Sequence, residues 1–363
     1  MSKVTVWVGT TKGLFALRGD PTGDGLALDG PALAGDEVSA VLGDRRGGRD
    51  RLLAGSRSMH WGPVVRISDD GGATWNEPVD GGLRFPADTD TALRNVWQLT
   101  AAGPEQPDSV YAGVEPAALF RSDDGGGSFS LVRGLWDHPH RPQWQPGGGG
   151  LCLHTVLVDP RDARRLYVAI SAAGVYRSDD SGATWQVRNR GIRAGYLPDP
   201  FPEFGQCVHK IAFDAADPDT LYLQHHGGIY RSTDGAASWT SIADGVASDF
   251  GFPIVAHPHR AGTAYVIPLQ ADTFRCTPEG RVRVYRTTDG GGSWEAPTDG
   301  LPQRDAHLTV LRDAFSHDGG DPLGLYFGTR TGQVFGSTDG GDSWRLTADL
   351  LPPVLCVRAV TAA

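Results

Sequence analysis

Lysine is scarce in this chain of 363 residues, which has only Lys3, Lys12 and Lys210 among its 33 basic residues. Acidic residues are more numerous, and the net charge is -10 at pH 7. Binding to phosphate backbones needs clustered lysine and arginine. This composition therefore argues against a nucleic-acid partner.

Cysteine and long apolar runs are also scarce. The four cysteines are Cys152, Cys207, Cys276 and Cys356, and their wide spacing is not that of a disulfide framework. The N-terminal residues show no signal-peptide pattern, and no segment approaches 18 consecutive apolar residues. We therefore expect a soluble, cytoplasmic protein with free thiols and no membrane partner.

Glycine and tryptophan, in contrast, are plentiful, with 50 and 10 residues respectively, and much of the glycine belongs to a repeat. The pattern Ser/Thr-x-Asp-x-Gly-x-Ser/Thr-Trp/Phe occurs six times, with alanine in place of glycine in the fourth copy. Its aspartates are Asp70, Asp124, Asp180, Asp234, Asp289 and Asp339. Successive aspartates are 50 to 56 residues apart, and a regular period of about this length is typical of propellers and other repeat folds.

Each copy lies between short alternating segments that predict antiparallel strands. Within the copy, the aspartate can accept backbone N–H bonds and the aromatic residue can enter the core, so we expect a structural role for these aspartates. The N-terminal segment resembles a seventh unit without the motif, and Val354–Val360 predicts one further strand. The sequence thus predicts an all-β, seven-bladed β-propeller, a single domain over residues 1–363. Its ring is closed where the C-terminal strand pairs with the N-terminal blade.

The repeated Ser-x-Asp-x-Gly-x-Thr-Trp motif resembles the BNR or Asp-box repeats of sialidases and bacterial sialidase-like, glycosyl-hydrolase-like proteins. This resemblance implies the propeller fold and a glycan or related ligand. The Phe/Tyr-Arg-Ile-Pro motif of sialidases has no match, since its nearest string, Val65-Arg66-Ile67-Ser68, runs into an Asp box. We therefore expect a glycoside-hydrolase-like protein that is not a true sialidase.

Long, irregular loops are predicted on one face of the propeller, at 76 to 94, 130 to 150, 187 to 206, 243 to 251 and 268 to 281. Such loops on a rigid scaffold usually carry binding groups. We expect a pocket over the central channel for a small polar molecule, a sugar or a carboxylate. The candidate ligand-binding residues are His60, Trp61, Arg94, Trp136, His154, His209, Lys210, His225, Arg275 and Arg312.

Two Cys-x-His pairs recur at the same position of neighbouring repeats, Cys152 with His154 and Cys207 with His209. Residues i and i+2 of a strand project from one face, so each pair joins a thiol to an imidazole. A transition metal is the one cofactor that this pattern suggests. The alternatives are buried cysteines that pack as small apolar residues, and repeats that share residues by descent.

Three functions remain open from the sequence alone. The first is a hydrolase that uses two carboxylates, with Glu115, Glu203, Asp249 and Asp305 as candidate catalytic residues. The second is a metal-dependent enzyme centred on the two Cys-x-His pairs, with His60, His225 or His226 completing the set of ligands. The third is a non-catalytic binding or assembly platform.

Overall fold

The computed structural model describes residues 3–23, 25–78 and 82–361, and these residues fold into β-strands joined by turns and loops. The single α-helix of the described residues is α1 (Arg133–Trp136). Short 3-10 turns occur at Arg46–Gly48, Ala87–Thr89, Arg141–Gln143 and Pro278–Gly280. Among these residues, no helix has the length and apolarity needed to cross a bilayer.

The first four blades contain fifteen strands, which are the first fourteen strands of the chain and the C-terminal strand. Blade 1 has β1 (Val4–Thr10), β2 (Gly13–Asp20) and β3 (Gly25–Ala32), and blade 2 has β4 (Glu37–Asp44), β5 (Arg51–Ser58) and β6 (Gly62–Ser68). Blade 3 has β7 (Asn95–Ala101), β8 (Val110–Glu115), β9 (Ala118–Ser122) and β10 (Ser130–Leu131). Blade 4 has β11 (Leu153–Val158), β12 (Leu166–Ile170), β13 (Gly174–Ser178) and β14 (Gln186–Val187). The fifteenth strand is the C-terminal one, described below.

The remaining blades repeat the pattern. Blade 5 has β15 (Val208–Phe213), β16 (Leu221–His225), β17 (Gly228–Ser232) and β18 (Thr240–Ser241). Blade 6 has β19 (Gly251–Ala256), β20 (Ala264–Pro268) and β21 (Tyr285–Thr287), and blade 7 has β22 (Phe315–His317), β23 (Leu325–Gly328), β24 (Val334–Ser337) and β25 (Arg345–Ala348). The last strand is β26 (Val354–Thr361), which joins blade 1. The prediction of a seven-bladed β-propeller is confirmed.

Ring closure has the predicted form. Strand β26 pairs antiparallel with β1, with Val4 opposite Thr361 and Gly9 opposite Cys356. The pairing covers an edge of β1 that would otherwise expose unpaired backbone groups. Val354 and Val357 of β26 are buried in the apolar core beside this sheet.

Each Asp box is a turn held by its own side chains, as blade 4 illustrates. Asp180 accepts hydrogen bonds from the Ser178 hydroxyl at 2.8 Å, the Thr184 amide at 2.8 Å and the Thr184 hydroxyl at 2.6 Å. Trp185 is buried, and its indole N–H donates to the Gly182 carbonyl at 3.0 Å. Gly182 has φ +91, a conformation that glycine adopts without steric cost. These contacts fix the turn that leads from the third strand to the fourth.

Blades 3 to 7 also share a buried tyrosine on the second strand, in a Val-Tyr, Leu-Tyr or Ala-Tyr string. Burial of such large rings contributes much of the apolar stabilisation of each sheet. The fully buried examples are Tyr111, Tyr167, Tyr222, Tyr265 and Tyr326.

The chain contacts define two compact units. Unit 1 comprises the described residues of Met1–Ala34, Gly191–Arg193 and His209–Ala363, and unit 2 comprises those of Gly35–Arg190 and Ala194–Val208. Unit 2 contains blades 2 to 4, and unit 1 contains blades 1, 6 and 7 and blade 5 from His209 onward. The single domain over residues 1–363 stays a prediction.

Candidate functional site

An aromatic cluster in unit 2 joins two of the predicted loops. The His140 imidazole stacks on the Phe204 ring, with centroids 4.3 Å apart and planes 24° apart. Its Nδ1 lies 3.2 Å from the Tyr176 hydroxyl, which also accepts a hydrogen bond from the Trp144 indole N–H at 2.9 Å. Burial raises the pKa of Tyr176, so this hydroxyl stays protonated at neutral pH. The cluster anchors loop 187–206 to loop 130–150.

Glu203 lies at the edge of this cluster. Its Oε1 is 4.0 Å from Nε2 of His140, and 66% of its side chain is exposed. In the same loop, the aromatic rings of Tyr196 and Phe201 are exposed to solvent by 47% and 58%. A solvent-facing carboxylate in a loop that also exposes aromatic rings can both bind a polar ligand and exchange protons with it.

Beside this loop, burial lowers the pKa of His138, and the neighbouring charge of His140 lowers it further. The His138 ring is therefore neutral at pH 7. Its centroid lies 5.1 Å from that of Tyr176, which extends the aromatic surface rather than adding a charge.

Trp136, another predicted ligand-binding residue, is half-buried. The Arg141 guanidinium lies 3.2 Å from the centroid of its ring, in a cation–π arrangement. Phe85 packs against the same ring, with centroids 5.0 Å apart. The faces of this indole are thus engaged within the protein.

A backbone hydrogen bond joins Arg94, just before β7, to Glu115, the last residue of β8. The Arg94 amide donates to the Glu115 carbonyl at 2.8 Å, and the Trp97 indole N–H donates to Oε2 of Glu115 at 3.1 Å. A Cβ added at Gly150 would lie 2.5 Å from Oε1 of Glu115. Glu115 is therefore held closely between β7 and the chain at Gly150, whereas the Arg94 side chain is exposed.

His60 and Trp61 occupy the turn between β5 and β6, and both are exposed. The Trp61 side chain is 86% exposed. The His60 amide donates to the Ser58 hydroxyl at 3.2 Å, which fixes the turn but not the imidazole.

In unit 1, three predicted residues surround one phenylalanine. The guanidinium carbons of Arg275 and Arg312 each lie 5.5 Å from the centroid of the Phe252 ring. The His209 ring lies 4.8 Å from the same ring. Phe252 and the nearby Phe250 were not predicted as site residues, although the alternating Phe-Gly-Phe string at the start of β19 was a usable signal.

Lys210 is committed to an ion pair inside unit 1. Its Nζ lies 2.5 Å from Oδ1 of Asp313, and both side chains are largely buried. Burial lowers the pKa of Lys210, and the Asp313 carboxylate acts in the opposite direction. Since breaking a buried pair leaves an uncompensated charge, we assign a structural contribution to Lys210.

The other predicted histidine of unit 1 is also buried. Burial lowers the pKa of His225 to about 3, so the ring is neutral at pH 7. Its Nδ1 accepts a hydrogen bond from the Gly227 amide at 3.1 Å.

The predicted carboxylates of unit 1 are exposed. The backbone carbonyl of Asp249 accepts hydrogen bonds from the Gly228 amide at 3.2 Å and the Gln224 side chain at 2.9 Å, and its carboxylate faces solvent. Oδ2 of Asp305 lies 3.6 Å from Nε of Arg304, and both side chains are about nine-tenths exposed. Screening by water makes such an exposed ion pair weak.

The two predicted Cys-x-His pairs have different surroundings. Cys152 is buried with its Sγ 3.1 Å from the Ser171 hydroxyl. The His154 ring is buried, with Nε2 at 2.9 Å from the Val208 carbonyl and Nδ1 at 3.1 Å from the Thr155 hydroxyl. In the second pair, Cys207 is half-buried and His209 is buried.

The chain is similar in sequence to several xyloglucanases. It is 31% identical to a xyloglucanase of a Paenibacillus species over 175 residues, which are 41% of this chain and 16% of the relative. It is 26% identical to the oligoxyloglucan-reducing end-specific xyloglucanase of Emericella nidulans over 259 residues, 63% of this chain and 30% of the relative. The chain thus spans less than a third of the length of these curated relatives.

Among solved structures, the chain resembles the GH74 xyloglucanase from Xanthomonas campestris with a TM-score of 0.65 and 19% identity. The match covers 96% of this chain and 53% of that one. At this identity, the likeness shows the propeller fold alone. No protein-family model matches the chain.

Proposed function

We propose that this chain binds a glycan of the xyloglucan class and is a glycoside-hydrolase-like propeller. The observation that carries the proposal is the sequence similarity to xyloglucanases, which extends over as much as 63% of the chain. The Asp-box repeats, which resemble those of sialidase-like proteins, support the same broad class of ligand.

The part of loop 187–206 that belongs to unit 2, residues 194–206, offers the chemistry that a glycan needs. Sugar rings present flat C–H faces that pack on aromatic rings, and Tyr196 and Phe201 present such rings to solvent. The Glu203 carboxylate can accept hydrogen bonds from sugar hydroxyls. The packing of Phe204 on His140 stiffens the loop, and a stiff site loses less conformational entropy on binding.

For hydrolysis, we propose Glu203 as the first of the two carboxyl groups that glycosidases require. Its exposure allows a substrate to reach it, and its Oε1 lies 4.0 Å from Nε2 of His140. Glu115 is the second predicted carboxylate of unit 2, and its fixed position suits a group that must hold one orientation.

The test uses the full chain with xyloglucan polymer and with xyloglucan oligosaccharides of defined length. Binding is measured by titration calorimetry, and hydrolysis by the release of reducing ends. We expect the Glu203→Gln variant to keep binding and to lose turnover by about 100-fold or more, as expected when a general acid–base residue is removed. Glu105→Gln, which changes an exposed carboxylate of the same unit, is the matched control and should behave as the wild type.

The two parts of the proposal fail separately. Binding without turnover would leave a glycan-binding propeller and remove the hydrolase. No binding of any of the oligosaccharides would remove the proposal altogether.

A further inference from the structure

His140 and Glu203 of unit 2 face each other across a short gap. Nε2 of His140 lies 4.0 Å from Oε1 of Glu203, which is beyond hydrogen-bonding distance. Two hydrogen bonds of about 2.8 Å to one oxygen, at an angle of about 90–110°, place their outer atoms about 4.0–4.6 Å apart. The gap therefore has the width that a single bridging oxygen atom needs.

The buried hydroxyl of Tyr176 decides which nitrogen of the His140 ring carries the hydrogen. This hydroxyl accepts a hydrogen bond from the Trp144 indole N–H at 2.9 Å and lies 3.2 Å from Nδ1 of His140. Among the described residues these are its two partners, and an indole N–H can only donate. The Tyr176 hydroxyl therefore donates its own hydrogen to Nδ1, and the neutral imidazole carries its hydrogen on Nε2.

The two sides of the gap thus differ in their hydrogen-bonding chemistry. Nε2–H of His140 is a donor, whereas the carboxylate of Glu203 is an acceptor. A hydroxyl group matches both, because its oxygen accepts one hydrogen bond while its hydrogen donates another. The Glu203 carboxylate repels a carboxylate ligand, and an ammonium group has no lone pair for the His140 donor. The gap therefore favours a hydroxyl over either charged group.

The backbone that carries each of these two groups is held in place. The His140 ring stacks on Phe204 with centroids 4.3 Å apart, and the His140 amide donates to Nδ1 of His138 at 3.1 Å. The backbone carbonyl of Glu203 accepts a hydrogen bond from the buried Asn189 side chain at 3.1 Å. Groups that are already fixed lose less conformational entropy when a ligand binds.

A ligand can reach the gap from solvent. The side chains of His140 and Glu203 are 20% and 66% exposed. The loop that carries Glu203 also exposes the rings of Tyr196 and Phe201. A molecule that has both hydroxyl groups and flat C–H faces, as a sugar has, therefore finds a partner for each in one loop.

We propose that His140 and Glu203 together bind one hydroxyl group of a sugar residue, with His140 as the donor and Glu203 as the acceptor. The inference rests on the proposed glycan function, and it adds His140 as a residue that selects a free hydroxyl at this position. Oε1 of Glu203 takes the hydroxyl, which leaves Oε2 for proton exchange with a substrate.

The test is titration calorimetry of the chain of residues 1–363 with a xyloglucan heptasaccharide. His140→Phe keeps a ring that can stack on Phe204 but removes the donor, so it should weaken binding by about 3–10-fold, the range of one uncharged hydrogen bond. His140→Gln supplies an amide donor in place of the imidazole and should restore the affinity to within about twofold of the wild type. His307→Phe changes an exposed histidine of unit 1 and is the matched control, which should bind as the wild type. Circular dichroism checks the folding of each variant, and His140→Leu replaces His140→Phe if that variant does not fold.

NMR spectroscopy of the chain labelled with nitrogen-15 histidine tests the tautomer in the absence of a ligand. The His140 signals are identified as those that His140→Phe removes. We expect the hydrogen on Nε2, and we expect the Nε2 signal to shift when the heptasaccharide is added. A hydrogen on Nδ1 of the neutral ring would overturn the assignment of His140 as the donor.

The outcomes separate this inference from the proposed function. An affinity that His140→Phe leaves unchanged, or a loss that His140→Gln does not restore, would overturn the hydroxyl site while glycan binding by the wild type stands. A wild type that does not bind the heptasaccharide would remove the glycan function and the hydroxyl site with it.

Discussion

Closure of blade 1 by β26 can be tested by shortening two of its buried side chains. Val354 and Val357 are 0% and 1% exposed and lie in the core that blade 1 shares with the neighbouring blades of unit 1. Each valine-to-alanine change removes the equivalent of two methylene groups, or about 1.6 kcal/mol of transfer free energy. The double variant Val354→Ala/Val357→Ala should therefore lose about 3 kcal/mol, and about 3–5 kcal/mol once the residual cavities are included.

This loss is large because the free energy of unfolding of a whole domain is only about 5–15 kcal/mol. With an m-value of about 3 kcal/mol/M in urea, the unfolding midpoint should fall by about 1 M or more. The assay is urea unfolding followed by tryptophan fluorescence. Leu28→Ala is the control, because Leu28 lies on β3 of the same sheet but is 52% exposed.

The double variant would contradict this expectation if its free energy of unfolding lay within about 0.5 kcal/mol of that of the Leu28→Ala control, the range of an ordinary surface substitution. That result would mean that β26 contributes little to the stability of unit 1, despite its pairing with β1.

Two further predictions concern the turns. The hydrogen bonds from Thr74 and Ser68 lower the pKa of Asp70 to about 2, below the usual value of an aspartate, and those from Ser293 and Thr287 do the same for Asp289. Because the pKa of these carboxyl groups is lower in the folded state, the stability that they contribute is present above about pH 4 and is lost as the pH falls towards 2. The Asp70→Asn/Asp289→Asn variant should therefore show a smaller fall in its urea unfolding midpoint over that range than the wild type. An identical pH dependence of the two midpoints would contradict the assignment. Gly300 has φ +76, and an added Cβ would lie 1.7 Å from the Trp344 carbonyl oxygen, so Gly300→Ala should cost about 2–4 kcal/mol. Gly319 has the same φ, but a Cβ added there would have no atom within 4 Å, so Gly319→Ala should cost only the backbone strain of about 1–2 kcal/mol. Equal losses of stability for the two variants in calorimetric melting would show that no clash occurs at Gly300.

The fold was predictable because its determinants are local. Ser178, Asp180 and Thr184 hold their turn within seven residues of chain, so the motif alone indicates the hairpin. Repetition of that hairpin then indicates the number of blades, and the leftover strand Val354–Val360 indicates the closure.

The candidate site was only partly predictable, because its contacts join residues that are distant in sequence. Glu203, Trp136, His209 and Arg275 were identified by residue type on predicted loops and inner strands. The packing of Phe204 on His140 and the pairing of His226 with Asp272 depend on how separate loops meet. No spacing rule within one repeat contains that information.

The similarity to xyloglucanases and the exposed rings of Tyr196 and Phe201 support the proposed glycan binding. This binding can be measured by titration calorimetry of the chain of residues 1–363 with xyloglucan oligosaccharides, compared with the Tyr196→Ala/Phe201→Ala variant. We expect saturable binding at one site per chain and at least a tenfold weaker affinity in the variant. Binding that is absent at millimolar oligosaccharide, or unchanged in the variant, would contradict it.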